Sequence, residues 1–372
     1  MSAPYAQLTR RAALALPLVA TLPRPAQAAI SITDAVGRKV ELTKPAERVV
    51  IAFYLEEFTA IGGAAGWERV VGFRKHQWAV NRAKTYERFV AAIPRLAALP
   101  DVGLGENEVL VPEKVLALRP DLVIVPPWAM TGASAVTAAI EAAGIPILVA
   151  DYNSQSLEKH IASTIAIGQA IGAEARAREL ASLYETQIAD IRRRAALAKG
   201  PRPKVYIEIG WLGAGEFGST YKNTMWGRML DTIGADNIAN AALAQPAGFV
   251  PIAPEKVLAA APDHIFITGS SWANRPHAVR LGYDVDPETA RASLRPYLGR
   301  PGWDALPAVR AGNVYTVEHS LVRSLTDWIS LQFIAKQIYP EPFADIDPVA
   351  SLRAFHERFL PIPFEGTWML RL

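Results

Sequence analysis

The side chains of this sequence that could do chemistry fall into short clusters, each mixing aromatic rings with cations. Arg74, His76 and Trp78 form one cluster, and Trp272, Arg275 and His277 another. Tyr221 and Lys222 follow Trp211, and His319 with Arg323 closes the series, while Tyr54 and Trp128 stand singly. Such mixtures recognise ligands without making bonds. Rings stack on flat or conjugated groups, and the planar guanidinium fork holds carboxylates and other oxyanions through charge-assisted hydrogen bonds. The expected ligand is anionic and partly aromatic, as a metal chelate is. The arginines would equally serve a bare oxyanion. His76, His277 and His319 raise direct metal binding, since imidazole suits zinc, copper, iron or nickel, yet they lack close ligand spacing.

One motif points to different chemistry. Gly213-Ala214-Gly215-Glu216-Phe217-Gly218 satisfies GxGxxG after the apolar run Val205 to Ile209, which is the dinucleotide fingerprint. An exported dinucleotide-dependent oxidoreductase is therefore the alternative of another class, with Asp231 or Asp236 as its ribose acid. The third glycine should lie in a helix packed on the strand, whereas Ser219 to Asn223 read as loop. The glycines are expected instead to let a loop approach a ligand. There is no GxSxG elbow, no HExxH helix and no Walker A loop. Neither catalysis nor a cofactor is called for. Cysteine is absent, which excludes disulfides, thiolate metal sites and a lipid-modified cysteine.

These residues need elements to hold them, and the chain describes its own plan. PEKVLALRPDLVI, from Pro112, returns as PEKVLAAAPDHIFI from Pro254. Each copy reads as a short helix opened by proline, where no N–H is lost. A glutamate beside it faces the positive end of the helix dipole, and the helix stops at Pro-Asp before a buried strand. A repeat this long implies two like lobes and not a solenoid. Strand runs at Arg48–Phe53, Val70–Phe73 and Ile145–Ala150, then Val205–Ile209 and Asn313–Val317, alternate with helical stretches such as Ser134–Ala143 and Asp327–Ile338. Alternation of this kind predicts parallel sheets covered by helices. From Glu174 to Leu197 no proline or glycine interrupts an Ala-, Arg-, Glu- and Leu-rich run, which predicts a stiff rod of about 36 Å at about 1.5 Å per residue.

The expected fold class is thus α/β: two similar parallel-sheet lobes joined by one long rigid helix. The expected divisions are a leader over 1–28, a first lobe over 29–156, a helical linker over 157–200 and a second lobe over 201–372. The leader carries Arg10-Arg11, an apolar stretch from Ala12 to Leu22 and Ala26-Gln27-Ala28, the pattern of a twin-arginine export signal. The formal charge of +3 rests on Arg10, Arg11 and Arg24, so the processed chain is neutral and its basic pI implies no nucleic-acid partner. A disulfide-free periplasmic protein is the reading, and a monomer.

Several of these residues in this order resemble a known family. ITDAVGRKVEL followed by PAERVVIA, both PEKVLA copies, the rod after Leu157, and DIDP with AFHERF near the end are similar to periplasmic substrate-binding proteins of ABC importers. The branch is the helical-backbone, TroA-like class that carries iron–siderophore, haem and cobalamin complexes. The resemblance implies a ferric-siderophore-type chelate held between lobes that move little, and an inner-membrane permease as partner. It also implies that Glu113 and Glu255 dock onto permease arginines. The polar stretch Arg74 to Leu99 resembles the molybdate branch, so molybdate or tungstate, or a bare metal, is the alternative within the class. Cleft residues expected to meet the ligand are Tyr54, Arg74, His76, Trp78, Trp128, Tyr221, Lys222, Trp272, Arg275, His319 and Arg323.

Overall fold

The apolar runs become the strands of two sheets that share one strand order. A computed structural model describes residue 1 and residues 29–103, 110–131, 134–243 and 249–372, so the expected leader lies outside the described residues. In the first lobe Val70–Phe73, Val49–Ile51, Leu122–Val125 and Ile147–Val149 lie side by side in that order, all parallel. In the second, Asp236–Asn237, Lys204–Ile209, His264–Gly269 and Val314–Glu318 repeat the order, again parallel. Both sheets switch direction beside the strand that follows the repeated motif. Crevices for ligands form at such points, beyond the carboxyl ends of the strands.

The two motif copies make matching bonds. Pro112 and Pro254 occupy the first helical turn of Pro112–Ala117 and Pro254–Ala260, with Val115 and Val257 buried beneath. Lys114 Nζ donates to the Gly103 carbonyl at 3.0 Å, and Lys256 Nζ to the Ala242 carbonyl at 2.8 Å. Asp121 accepts the Arg48 N–H at 2.9 Å, as Asp263 accepts that of Lys204 at 2.9 Å. In return the Asp121 and Asp263 N–H groups donate to the Arg48 and Lys204 carbonyls, each at 2.9 Å. The repeated aspartate thus ties the foot of its strand to the neighbouring strand in both lobes.

The connection is stiffer than one rod. Gly172 in the left-handed region (φ 73°) ends the helix Leu157–Ile171, and the chain folds back into the spine helix Glu174–Ala195. That helix is about 33 Å long at about 1.5 Å per residue, and it stops two residues before Leu197, whose N–H already makes a turn bond to Arg194. Arg176 bolts the spine to both sides, donating to the Ala60 carbonyl at 2.5 Å and to that of Phe359 at 2.9 Å. The helices Asp327–Ile338 and Pro348–Phe359 return from the second sheet onto the spine and the helix Leu55–Gly66. One apolar cluster accordingly runs from Phe58 through Leu180, Tyr184 and Ile188 to Ile334 and Phe355.

Several pieces escaped the sequence reading. Met369–Arg371 adds an antiparallel strand to the Val314–Glu318 edge. Ser219–Tyr221 pairs antiparallel with Phe249–Pro251, making a ribbon over the mouth of the second sheet. The polar stretch from Arg74 folds into the helices Lys75–Ala79, Ala83–Ala92 and Arg95–Ala98.

Candidate ligand-binding site

A cavity of about 380 Å³ opens where the carboxyl ends of the second-lobe strands face the first of those extra helices. Ile209 and Trp211 reach it from the strand Lys204–Ile209, and Tyr221 and Phe249 from the ribbon. Trp272, Asn274 and Arg275 follow the strand His264–Gly269, and His319 and Arg323 follow Val314–Glu318. The first lobe contributes Gln77, Asn81 and Arg82 among the described residues. Other depressions of about 410 and about 660 Å³ lie at the spine's end and on the second lobe, and neither is walled by tryptophan.

The cavity concentrates positive charge that the protein leaves largely uncompensated. Arg323 is half-buried and makes no hydrogen bond or ion pair among the described residues, and its Nε has no acceptor at all. Its guanidinium carbon sits 5.6 Å from the Phe53 ring centre. Burial, and then the neighbouring Arg82, lower this guanidinium from its ordinary value. Arg82 lies over Trp78 at 5.6 Å and reaches Glu318 across the lobes at 3.4 Å. Arg275 is exposed and stacks on Trp211 at 4.9 Å. Burial pushes the nearby carboxyls Glu56 and Glu57 up to about 7 and about 8, against the pull of Arg82 and Arg323.

Two further details mark the cavity wall as built for a ligand. Met225 lines it at φ 45° and ψ −123°, a conformation L side chains rarely adopt. A Cβ on Gly227 would stand 2.1 Å from the Lys222 carbonyl oxygen, so the same turn is tightly packed. Backbone strain of this kind persists where surroundings over-determine it, commonly at functional sites. His319 Nδ1 lies 3.4 Å from the Trp226 indole nitrogen and 3.0 Å from Thr268 Oγ1. Because indole N–H only donates, Nδ1 is an acceptor and Nε2 carries the ring proton. Burial, then Arg323 and Arg82, hold the pKa of this imidazole well below the usual histidine range, so it is a neutral donor.

Tyr221, Trp272, Arg275, His319 and Arg323 therefore meet in one cavity. The other expected contacts do not line it. Tyr54 donates to the Ala150 carbonyl at 2.6 Å, and Trp78 to that of Phe53 at 3.1 Å. Lys222 Nζ is taken by the Asn240 and Leu243 carbonyls at 2.9 and 2.7 Å. Trp128 packs edge-on against Phe53 with ring centres 5.2 Å apart. Arg74 is buried in the first lobe, and the half-buried His76 has its backbone N–H on Asp101 at 3.1 Å. For Tyr54, Trp78 and Lys222 the polar tip found a backbone acceptor, as buried polar groups must. His277 lies in the separate depression beside Gly213. Among the described residues no group of three or more His, Asp or Glu could hold a metal ion.

The residues that sequence reading missed are Gln77, Asn81 and Arg82, together with Ile209, Met225, Phe249 and Asn274. No periodic signal marked them: Gln77 lies in the short helix Lys75–Ala79, and Asn81 and Arg82 lie in the turn that follows it. Glu113 and Glu255 are exposed in the first turns of their helices. The glycine motif leads into the strand Ser219–Tyr221 and not into a helix. Gly218 donates to the buried Glu208 carboxylate at 2.6 Å, and Arg300 clamps that carboxylate with bonds of 2.7 and 2.9 Å. A Cβ at Gly218 would stand 2.1 Å from the Ile209 carbonyl oxygen. Gly213 and Gly218 thus allow close chain approach, and the helix a dinucleotide would need is absent here.

The comparisons with known proteins agree with this geometry. The profile of the periplasmic binding protein family matches residues 65–321. The ABC transporter substrate-binding lipoprotein YvrC of Bacillus subtilis, itself uncharacterized, is 28% identical over 320 residues, covering 85% of this chain and 87% of that protein. The crystal structure of the TroA-like periplasmic binding protein FepB from Veillonella parvula superposes with a TM-score of 0.86 at 35% identity, over 92% of this chain and 99% of that one. The molybdate-bound periplasmic protein MolA of Haemophilus influenzae shares the fold, with a TM-score of 0.66 at 18% identity over 90% of this chain and 99% of its own. The chain belongs to the periplasmic binding protein family: it is a periplasmic substrate-binding protein of an ABC importer, of the TroA-like class, and not an enzyme.

Proposed function

We propose that this member of the periplasmic binding protein family captures a ferric-siderophore-type chelate, anionic and bearing conjugated groups, and delivers it to its permease. The observation that carries this reading is Arg323, a half-buried guanidinium with no hydrogen bond or ion pair among the described residues, set among Trp211, Tyr221, Trp272 and His319. A cation held out of water without a partner is costly, and an incoming oxyanion relieves that cost. The aromatic walls supply stacking surface for a ligand larger than a bare oxyanion. Molybdate is the second reading, favoured by the fold shared with MolA. Direct metal binding is disfavoured by His319, whose Nδ1 is the acceptor, whereas a ligating histidine commonly donates from its second nitrogen.

The rest of the reading follows the family plan. The lobes span 29–156 and 201–372 with 157–200 between them, and the protein works as a monomer. Glu113 and Glu255, presented on matching helix starts, dock onto the permease. The helical hairpin and the apolar cluster that crosses the spine support small lobe movement on ligation. The test is quenching of tryptophan fluorescence by a ferric tris-catecholate, a ferric tris-hydroxamate, haemin, molybdate and zinc chloride in turn. Tightest binding of a ferric chelate is expected. Saturable binding of molybdate or zinc with none of any chelate would overturn the reading.

A further inference from the structure

The sequence brings Glu318 to the last position of its strand, next to the cavity residue His319, and the fold surrounds its carboxylate with donors. Ser270 Oγ donates to Oε1 at 2.6 Å, Ser320 N–H to Oε2 at 2.7 Å, and Ser320 Oγ also to Oε2. The fourth contact, from Arg82 Nη2 to Oε1, is the longest at 3.4 Å and comes from the other lobe. Both side chains are nearly buried, at 8% and 4% exposure. An internal carboxylate in this place keeps three donors when the guanidinium leaves.

Arg82 for its part has somewhere to go. Its guanidinium rests on Trp78, whose indole is fixed by its bond to the Phe53 carbonyl, so the platform survives loss of Glu318. Arg82 and Arg323 both line the cavity, and burial, then the charge of Arg82, lower Arg323 from its ordinary value. Glu318 contacts only the first of these cations within ion-pair distance. An incoming group with charge spread over adjacent oxygens could bridge both.

We propose that Glu318 is a positioning residue that competes with the ligand for Arg82, handing the guanidinium to an anionic cargo and thereby setting the cleft's preference for multiply charged oxygen ligands. The proposal rests on the reading that the cavity takes an anion, and it deepens that reading by naming what the anion displaces. No bond is made or broken in the exchange. The ion pair is traded for another while the serines hold Glu318.

The experiment is a double-mutant cycle of Glu318→Gln and Arg82→Gln on the full mature chain. Three probes are used: a trianionic ferric tris-catecholate, a neutral ferric tris-hydroxamate and inorganic molybdate. Glu318→Gln is expected to tighten catecholate and molybdate about tenfold, within the usual range for coupled neighbours, and to leave the neutral hydroxamate unchanged. In the Arg82→Gln background the same change should move anion affinity by about twofold at most. Glu318→Asp, which keeps the charge but withdraws it from Arg82, should tighten anions by a smaller factor and serves where the Gln variant folds poorly.

Weaker anion binding in Glu318→Gln, or equal tightening in both Arg82 backgrounds, would overturn the proposal. If molybdate shows the coupling while no ferric chelate binds, the exchange stands and the iron reading fails. If a chelate binds without the coupling, the iron reading stands and the exchange fails. Binding of no anion at all sinks both.

Discussion

Arg323→Met separates what the cavity does for the ligand from what it costs the fold. Methionine keeps an apolar stem against Phe53 while removing a guanidinium that has no hydrogen bond or ion pair among the described residues. A charge-assisted hydrogen bond contributes about 1.5–3 kcal/mol, and about 1.4 kcal/mol is tenfold in affinity. The variant should therefore bind a ferric tris-catecholate about 10- to 150-fold more weakly. Stability should move the other way. Removing a half-buried cation with no ion pair among the described residues, one already in repulsion with Arg82, should stabilise the ligand-free protein by about 0.5–1 kcal/mol, the size of gain common when a functional strain is relieved. Fluorescence titration reads the first quantity, and chemical denaturation of ligand-free protein at pH 7 reads the second. A variant both less stable and unchanged in affinity would refute the reasoning, because Arg323 would then be a structural residue with a partner in solution.

Other outcomes follow from the same geometry. Glu113→Ala combined with Glu255→Ala should abolish uptake in cells while chelate affinity measured by titration stays within twofold. Small-angle scattering with and without ligand should show no marked compaction, and a large fall in radius of gyration would contradict the bolted spine. Glu56 and Glu57 are raised from 4.5 to about 7 and about 8, chiefly by burial, so the folded chain holds these protons more tightly than the unfolded chain. Their contribution is then complete below about pH 4.5 and is lost as pH rises toward about 8; thermal melts across that window should decline, and Glu57→Gln should flatten the slope. Gly218→Ala should lower stability sharply, since its Cβ would stand 2.1 Å from the Ile209 carbonyl oxygen, and wild-type melting would show that the loop has room to yield.

The strongly periodic parts of the chain were legible because local and global preferences coincide there. The helix Asp327–Ile338 begins and ends where the apolar pattern says, and both PEKVLA copies open at proline as expected. The strand Met369–Arg371 was not legible: three residues carry no period, and its pairing with Val314–Glu318 is set by tertiary contact alone. The expected contacts that line the cavity all come from the second lobe, where the loops after strands face it, and none comes from the first. Tyr54, Trp78 and Lys222 have the right chemistry, yet each has its polar tip held by a nearby carbonyl. Arg82 was invisible because a guanidinium in a polar stretch looks solvated until Glu318, far along the chain, is brought beside it.

The first lobe meets the cavity through Gln77, Asn81 and Arg82 alone among the described residues, all on or just after the short helix Lys75–Ala79, apart from its sheet. Changing the cargo of such a receptor would not require rebuilding either half. A graft or a small library confined to that stretch could redirect what is imported while leaving the permease-facing surfaces and the load-carrying sheets as they are.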